Sequence, residues 1–368
     1  MADLAELNEI VLVDQDEAGA TPDEVFDTPR PVHQVGRLEL IEFAGPALGA
    51  VAAAFTITRF FGWTGILGPA LLGLVVFIVI YSQVARASLG AEAATDRIIT
   101  VLVFVGALTA LATLSSLVLF VVVKGVIALR PAFFVQDMST TGPLNPGGGA
   151  RHAIIGTLEQ CGLAALIAVP LAILSAIYLN EIKGQLANPV RFLVDAMSGV
   201  PSIVAGLFVY AFWVVGLGRG YSGVAAALAL VVLMLPTVTR TSEEVLRTIP
   251  DSLREASLSL GAPQWRTVLR IVLPTARSGL ITAVLLGIAR IVGETAPVLF
   301  TAKGSPSTNL DPTSGQQADL PQFIYSLLRQ PNKNQLDRAY AGALVLLILV
   351  ALLFAMARLA GAATRRKV

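Results

Sequence analysis

The chain has 368 residues, 55% of them hydrophobic and only 14% charged, with a mean hydropathy of +0.74. These values exclude an ordinary soluble domain and describe a polytopic membrane protein. A net charge of +1, with lysines and arginines scattered between apolar runs, provides no basic face for nucleic acid. The single cysteine, Cys161, cannot form an internal disulfide, and with only His33 and His152 to join it a structural zinc site is disfavoured.

Residues 1–42 carry eleven acidic side chains, among them Asp14, Asp16, Glu17, Asp23, Glu24 and Asp27, against Arg30 and Arg37 alone. With little apolar surface to offset its ordering entropy, this stretch reads as an acidic mobile tail. It lacks the basic start and short apolar core of a cleavable signal peptide. A solvated extension is favoured there over a docking or regulatory segment.

Apolar runs follow at 43–63, 64–83, 98–123, 154–179, 192–217, 223–239, 280–300 and 339–358. Each is close to the ~20 residues that cross a bilayer with every backbone polar group satisfied internally. This gives eight expected crossings, and the first two, at 43–84, form an extra N-terminal hairpin. Arg59 and the short turn from Gly62 to Gly65 leave an interfacial pair open as an alternative for that hairpin. Arg86 and Arg97, Lys183 and Arg191, six arginines from Arg240 to Arg277, and the basic end at 361–368 all fall on one side if the segments alternate. The excess of short-loop cations places that side, with both termini, in the cytoplasm.

The two long loops on the other side, 124–151 and 303–337, are turn-rich, and neither reads as a folded domain. Gly147-Gly148-Gly149 could cradle an anion through backbone N–H groups, but without a strand before it and a helix start after it a flexible connector is favoured.

Three stretches carry chemistry. Between the sixth and seventh runs, within the polar loop 240–277, Glu255 to Pro274 reads EASLSLGAPQWRTVLRIVLP. Asp251 and Ser252 behind Pro250 start a helix of about ten residues, which Gly261 and Pro263 end. Leu253, Ala256, Ser257 and Leu260 share one face of it, with small central residues that admit a partner surface, while Arg254 and Glu255 at its flank offer charged hydrogen bonds. Trp265, Val268, Leu269 and Val272 form a second face leading back to the membrane. An amphipathic helix lying on headgroups shares these apolar positions but not the fixed Gly and Leu-Pro spacings. The second stretch is Arg290-Ile291-Val292-Gly293-Glu294, inside the seventh run, where two charges i, i+4 on a helix would neutralise each other or exchange with a passing anion. The third, Ser198 to Gly206, contains Pro201 and Ser202; its Gly and Pro residues break regular helix, and ordinary helix packing around a kink is favoured there over backbone exposed toward a pathway. No Gly-Lys dipeptide occurs anywhere, so a phosphate-binding loop of the G-x-x-x-x-G-K-[ST] kind is missing and any ATPase is another chain.

The spacing Glu255-Ala256-Ser257, three residues, Gly261, nine residues, Ile271, one residue, Leu273-Pro274 resembles the docking motif of type I ABC importer permeases, with Ser257 where the motif has Ala. GVPSIVAGLF at 199–208, the loop at 243–276 and ARIVGETAPVLFTA at 289–302 further resemble the PstA family of bacterial phosphate-importer permeases, over about 97–360. The resemblance implies an all-α fold with a six-helix core plus the two N-terminal segments. It also implies a homologous PstC-like permease, two copies of a cytoplasmic PstB-like ATPase that bind the ATP and magnesium, and an external PstS-like phosphate-binding protein. Glu255, Ala256 and Gly261 would meet the ATPase; Arg290, Glu294, Ser198, Pro201 and Ser202 would border the pathway. A permease for sulfate or molybdate remains the nearest alternative, with a passive anion channel or a membrane sensor behind it. No Ser/His, paired Asp or metal-ligand cluster suggests an intramembrane enzyme.

Overall fold

The computed structural model describes residues 37–62, 65, 67–142 and 144–365. The acidic tail up to residue 36, part of the turn between the first two runs, and Arg366 and Lys367 of the basic end lie outside them. Thirteen α-helices run through the described residues. They are α1 (Arg37–Phe61), α2 (Leu67–Leu89), α3 (Ala91–Ala128), α4 (Arg151–Ile177), α5 (Ala187–Ser198), α6 (Ser202–Val209), α7 (Gly223–Arg247), α8 (Asp251–Ser259), α9 (Gln264–Thr267), α10 (Leu273–Val292), α11 (Ala296–Thr301), α12 (Leu320–Leu328) and α13 (Lys333–Arg365). Turns of π-helix prolong α4 to Ile182 and α6 to Gly216, and another joins α9 to α10.

Contacts divide the chain into two compact units, the first ending at Thr113 inside α3. In the first unit α1 and α2 pack as a hairpin on small residues, with Ala50, Ala54 and Ala85 buried. The apolar part of α1, Ala44–Phe60, is shorter than a full span, whereas α2 contributes a 21-residue apolar stretch, Gly68–Ser88.

Among the described residues six helices are long and apolar enough to cross a membrane unbroken: Gly68–Ser88, Ala94–Ala128, Arg151–Ile182, Gly223–Arg247, Gln264–Val292 and Lys333–Met356. Besides the run at 43–63, two expected crossings take a different form. The run at 192–217 is α5 and α6 meeting at 106°, because Gly199 and Val200 leave the helix and Pro201 starts the next one with extended backbone. The run at 280–300 is not one helix either. The span begins at Gln264, inside the polar loop, and ends at Val292, where Gly293 closes α10.

The core of the second unit is the α4–α7 pair. Every fourth residue of α4 is buried from Gly156 through Gln160, Ala164, Ala168, Ala172 and Ala176, and α7 answers with Ala226, Leu230, Met234, Val238, Ser242 and Leu246. Lipid is as apolar as a leucine side chain, so burial alone does not join two such helices. Each atom contact contributes only about 0.1–0.2 kcal/mol, and association requires backbones close enough to make many of them. The alanine stripe permits that approach. α10 packs on α7 and α13, and α11 packs on α6 and α7, where a Cβ on Gly206 would lie 2.6 Å from Pro297 Cα.

The two long loops are more ordered than their turn-rich sequence suggests. Buried Gln317 donates to Glu159 Oε2 and to Asn309 O (3.2 Å) and accepts from Gln160 Nε2 (3.1 Å). Side chains are excluded beside it: a Cβ on Gly156 would lie 2.0 Å from Ala318 O, and one on Gly223 2.2 Å from Gln317 Oε1. Met138 N–H donates to Pro306 O at 2.9 Å, and Asp137 Oδ2 accepts from Thr308 N (3.1 Å) and Oγ1 (3.0 Å), which ties the loops together. The Ser139 hydroxyl and N–H, with those of Thr308, hold the Asp137 carboxyl well below the usual carboxylate range. Asp319 caps α12, accepting Gln322 N–H at 2.9 Å, and full burial pushes its carboxyl up to about 7.

Candidate functional site

The polar loop after α7 folds as the spacing predicts and faces partly otherwise. Pro250, which has no N–H to leave unsatisfied, precedes α8 with extended backbone. Asp251 is the first helical residue and not the cap, and its carboxylate takes Arg254 Nη1 at 3.0 Å. α8 stops at Ser259, and Gly261 then turns left-handed at φ +76°, with nothing within 4 Å of where a Cβ would sit. Glycine is therefore required there for its backbone, not for space.

The expected face of Leu253, Ala256, Ser257 and Leu260 divides. Leu253, Ala256 and Leu260 are exposed, the last at 89%, together with Glu255, Leu258 and Trp265. Ser257 turns inward and is buried, its hydroxyl 2.8 Å from that of Thr267. Trp265 and Leu269 are exposed while Val268 and Val272 are buried, so the second expected face splits as well.

Arg254 also turns inward. Its guanidinium grips Glu181 with both arms, Nη2 to Oε1 at 2.8 Å and Nε to Oε2 at 3.1 Å, and donates to Ile249 O (2.7 Å) and Leu246 O (3.0 Å). Glu181 sits in the π-helical extension of α4, where Gln264 Nε2 reaches its carbonyl at 2.6 Å. The arginine is thus held charged, first by its hydrogen bonds to Glu181. One side chain joins the ends of α4 and α7 to α8. Of the two flanking charges expected to face outward, only Glu255 does.

The second grouping lies where α5 bends into α6. Arg240 of α7 pairs with Asp195 of α5 just before the bend. One turn along α7, Thr237 Oγ1 accepts from Arg290 Nη1 at 2.7 Å. Glu243 takes both Arg191 (2.8 Å) and Arg247 (2.6 Å) further along the same helix. Ser198 Oγ donates to Val194 O at 2.8 Å, and Pro201 and Ser202 open α6. Arg290, Arg240 and Asp195 are exposed, so a row of charges lines an open face of α5, α7 and α10.

The expected Arg290–Glu294 pair does not form among the described residues. α10 ends at Val292, and Glu294 lies beyond Gly293, its N–H turned back to Ile291 O at 3.1 Å, so the two charges do not share a helical face. Sequence reasoning gave Arg290 the partner Glu294, where the structure gives it Thr237, and assigned no role to Asp195. It also missed Glu181, Thr237 and Thr267. Each meets its partner across a separation of 10 to 73 residues. Only Glu181 carried a local hint, as a charge in the short polar patch that ends the fourth apolar run.

Residues 168–367 match the family described as binding-protein-dependent transport system inner membrane component. The chain is 44% identical over 275 residues, 74% of its length and 90% of the relative's, to phosphate transport system permease protein PstA 1 of Mycobacterium tuberculosis (strain CDC 1551 / Oshkosh). It is 44% identical over 258 residues, 70% of its length and 85% of the relative's, to phosphate transport system permease protein PstA of Mycobacterium leprae (strain TN). Among solved structures, a chain of the MetNI methionine ABC transporter in an inward-facing conformation aligns with a TM-score of 0.47 at 23% identity, covering 59% of this chain and 94% of that one. The chain is a multi-pass membrane protein that belongs to the binding-protein-dependent transport system inner membrane components and, within them, to the PstA permeases.

Proposed function

We propose that this chain is the transmembrane permease of an ATP-driven importer of inorganic phosphate in a bacterial cytoplasmic membrane. The observation that carries the reading is its likeness to phosphate permeases over nine-tenths of their length. With no Gly-Lys dipeptide, the chain takes its energy from separate ATPase subunits. α8 and the basic C-terminal end face the cytoplasm by the distribution of short-loop cations, and the N-terminus joins them with α1 and α2 crossing together as a hairpin. The exposed Leu253, Glu255, Ala256 and Leu260, with the Gly261 turn, form the ATPase contact, and Arg254 and Ser257 hold that surface in place from behind. A second, homologous permease completes the pathway, and an external binding protein delivers phosphate to it.

ATP-driven closure of the ATPases presses on α8, and the Arg254–Glu181 contact passes the displacement to α4 and α7. Of these, α7 borders the open face with Arg290, Arg240 and Asp195, and there a guanidinium offers paired donors to a phosphate oxyanion. Ser198, Pro201 and Ser202 supply the bend that opens this face. Glu294, set off from Arg290 by the Gly293 break, belongs to the same pathway. Ala256→Glu in the reconstituted complex tests the reading. The variant is expected to insert normally and to lose ATP-dependent phosphate uptake, because a carboxylate is forced into the contact. Uptake at the wild-type rate refutes the docking role, and uptake of sulfate or molybdate in place of phosphate refutes the cargo.

A further inference from the structure

Outside the face just described, the glycine run at Gly147–Gly149 and the start of α13 meet at a buried arginine without a counter-charge. Arg338 is 6% exposed. Its Nε donates to Gly147 O at 2.8 Å and its Nη2 to Asn145 O, while Nη1 has no partner. Among the described residues no carboxylate pairs with it. A buried cation left in this way is destabilised unless an opposite charge is supplied.

Beside it is a cavity of about 410 Å³. Its polar lining is Arg130, Gln136, Asn334, Asp337 and Arg338, so two guanidinium groups outweigh one carboxylate. Gly147 and Gly148 also line it, both left-handed at φ +100° and +70°, and among the described residues neither N–H has a partner. The run is fixed and not a flexible connector: a Cβ on Gly149 would lie 2.3 Å from Phe133 O, and one on Gly148 2.8 Å from Met138 Sδ. The apolar rim is Ile127, 76% exposed, with Ala128 and Phe133. The cavity opens where α3 ends its span and α13 begins one, at the boundary of the membrane.

We propose that this cavity binds a phosphate group, held by Arg338 and Arg130 with the N–H groups of Gly147 and Gly148. Excess positive charge, free backbone donors and a buried guanidinium in need of an anion are the chemistry that recognises a tetrahedral oxyanion. Basic pockets between spanning helices take phospholipid headgroups in the same way, and the apolar rim at Ile127 suits an attached acyl chain. The two sources of that group are a phospholipid headgroup and free inorganic phosphate.

The experiment uses the full chain, purified in detergent with the subunits it retains and delipidated, and two probes. Phosphatidylglycerol against phosphatidylcholine is scored by native mass spectrometry, and radiolabelled inorganic phosphate by equilibrium binding. Arg130→Gln and Arg338→Gln each remove a charged donor and are expected to lower binding of one probe about tenfold. A loss confined to phosphatidylglycerol identifies the headgroup, and a loss confined to inorganic phosphate identifies the free anion. Arg338 is buried, so if its variant does not fold, Arg130→Gln with an unchanged melting temperature decides alone. Wild-type binding of both probes by Arg130→Gln overturns the proposal.

Discussion

Replacing Arg254 by methionine removes a side chain that holds α8 to the rest of the second unit. The guanidinium makes two bonds to Glu181, two to main-chain carbonyls at the end of α7 and one to Asp251, and the Glu181 side chain is only 6% exposed. Removing one partner of a fully buried pair costs about 3–5 kcal/mol, because the other charge is left without compensation. Arg254 retains 17% exposure, which admits water and brings the expected loss to about 2–3 kcal/mol. The loss is local, since α8 is fastened otherwise mainly through Ser257 and Thr267. Opening of α8 therefore becomes roughly 30- to 140-fold easier, and its amides exchange faster by that factor. Hydrogen exchange read by mass spectrometry over 251–259 in the purified protein measures this directly. Adding Glu181→Gln to the variant is expected to change little more, because the charge left unpaired by the first substitution is removed by the second. Unchanged exchange in Arg254→Met, or fully additive losses in the double variant, would refute the assignment of Arg254 as the fastening.

Gly261→Ala meets no steric contact but forces φ +76° on a residue with a Cβ, so α8 is expected to lose about 1–2 kcal/mol. Gly261→Asn, which tolerates that region, is expected to recover part of it, with the same exchange experiment as the readout. Asp319 gives a pH test. Burial raises its folded pKa to about 7 from 3.8, so the folded protein holds a proton that the unfolded chain has released between those values. Its contribution to stability is present below pH 4 and is lost as pH rises through 7. Asp319→Asn preserves an N-cap and removes this titration; melting temperatures of the two proteins from pH 5 to 8 are expected to diverge in favour of the variant as pH rises, and parallel curves would refute the burial argument. With Arg290 meeting phosphate as proposed, Arg290→Gln is expected to cut phosphate uptake by at least tenfold, the order of one charged hydrogen bond, while Glu294→Gln, which breaks no pair with Arg290, leaves protein abundance unchanged in a membrane immunoblot.

What could be read from the sequence was what depends on neighbours in the chain. Pro250 and Gly261 bound a helix because one lacks an N–H and the other tolerates positive φ, and α8 lies between them. Apolar length located α2, α3, α4, α7 and α13 for the same reason. Apolar length failed where a run contained its own break. Gly199 and Pro201 divide 192–217, and Gly293 ends a helix that hydropathy alone would carry on to residue 300. The polar faces were least legible. The direction in which Arg254 points depends on Glu181, and that of Arg290 on Thr237, both brought near by the α4–α7–α10 packing. A helical wheel drawn on either segment alone places the arginine correctly on its helix and still gives it the wrong partner.

The α4 backbone also has a mechanical consequence. Near one end, Gly156, Glu159 and Gln160 hold the loop around Gln317; at the other, Glu181 holds α8 through Arg254. The 32 residues from Arg151 to Ile182 amount to a rod of about 48 Å, made stiff along its axis by its own peptide hydrogen bonds. Traction applied at one membrane surface is therefore felt at the other without any side chain changing rotamer on the way. The alanines that let α7 lie against this rod also leave few bulky side chains there to catch if it slides.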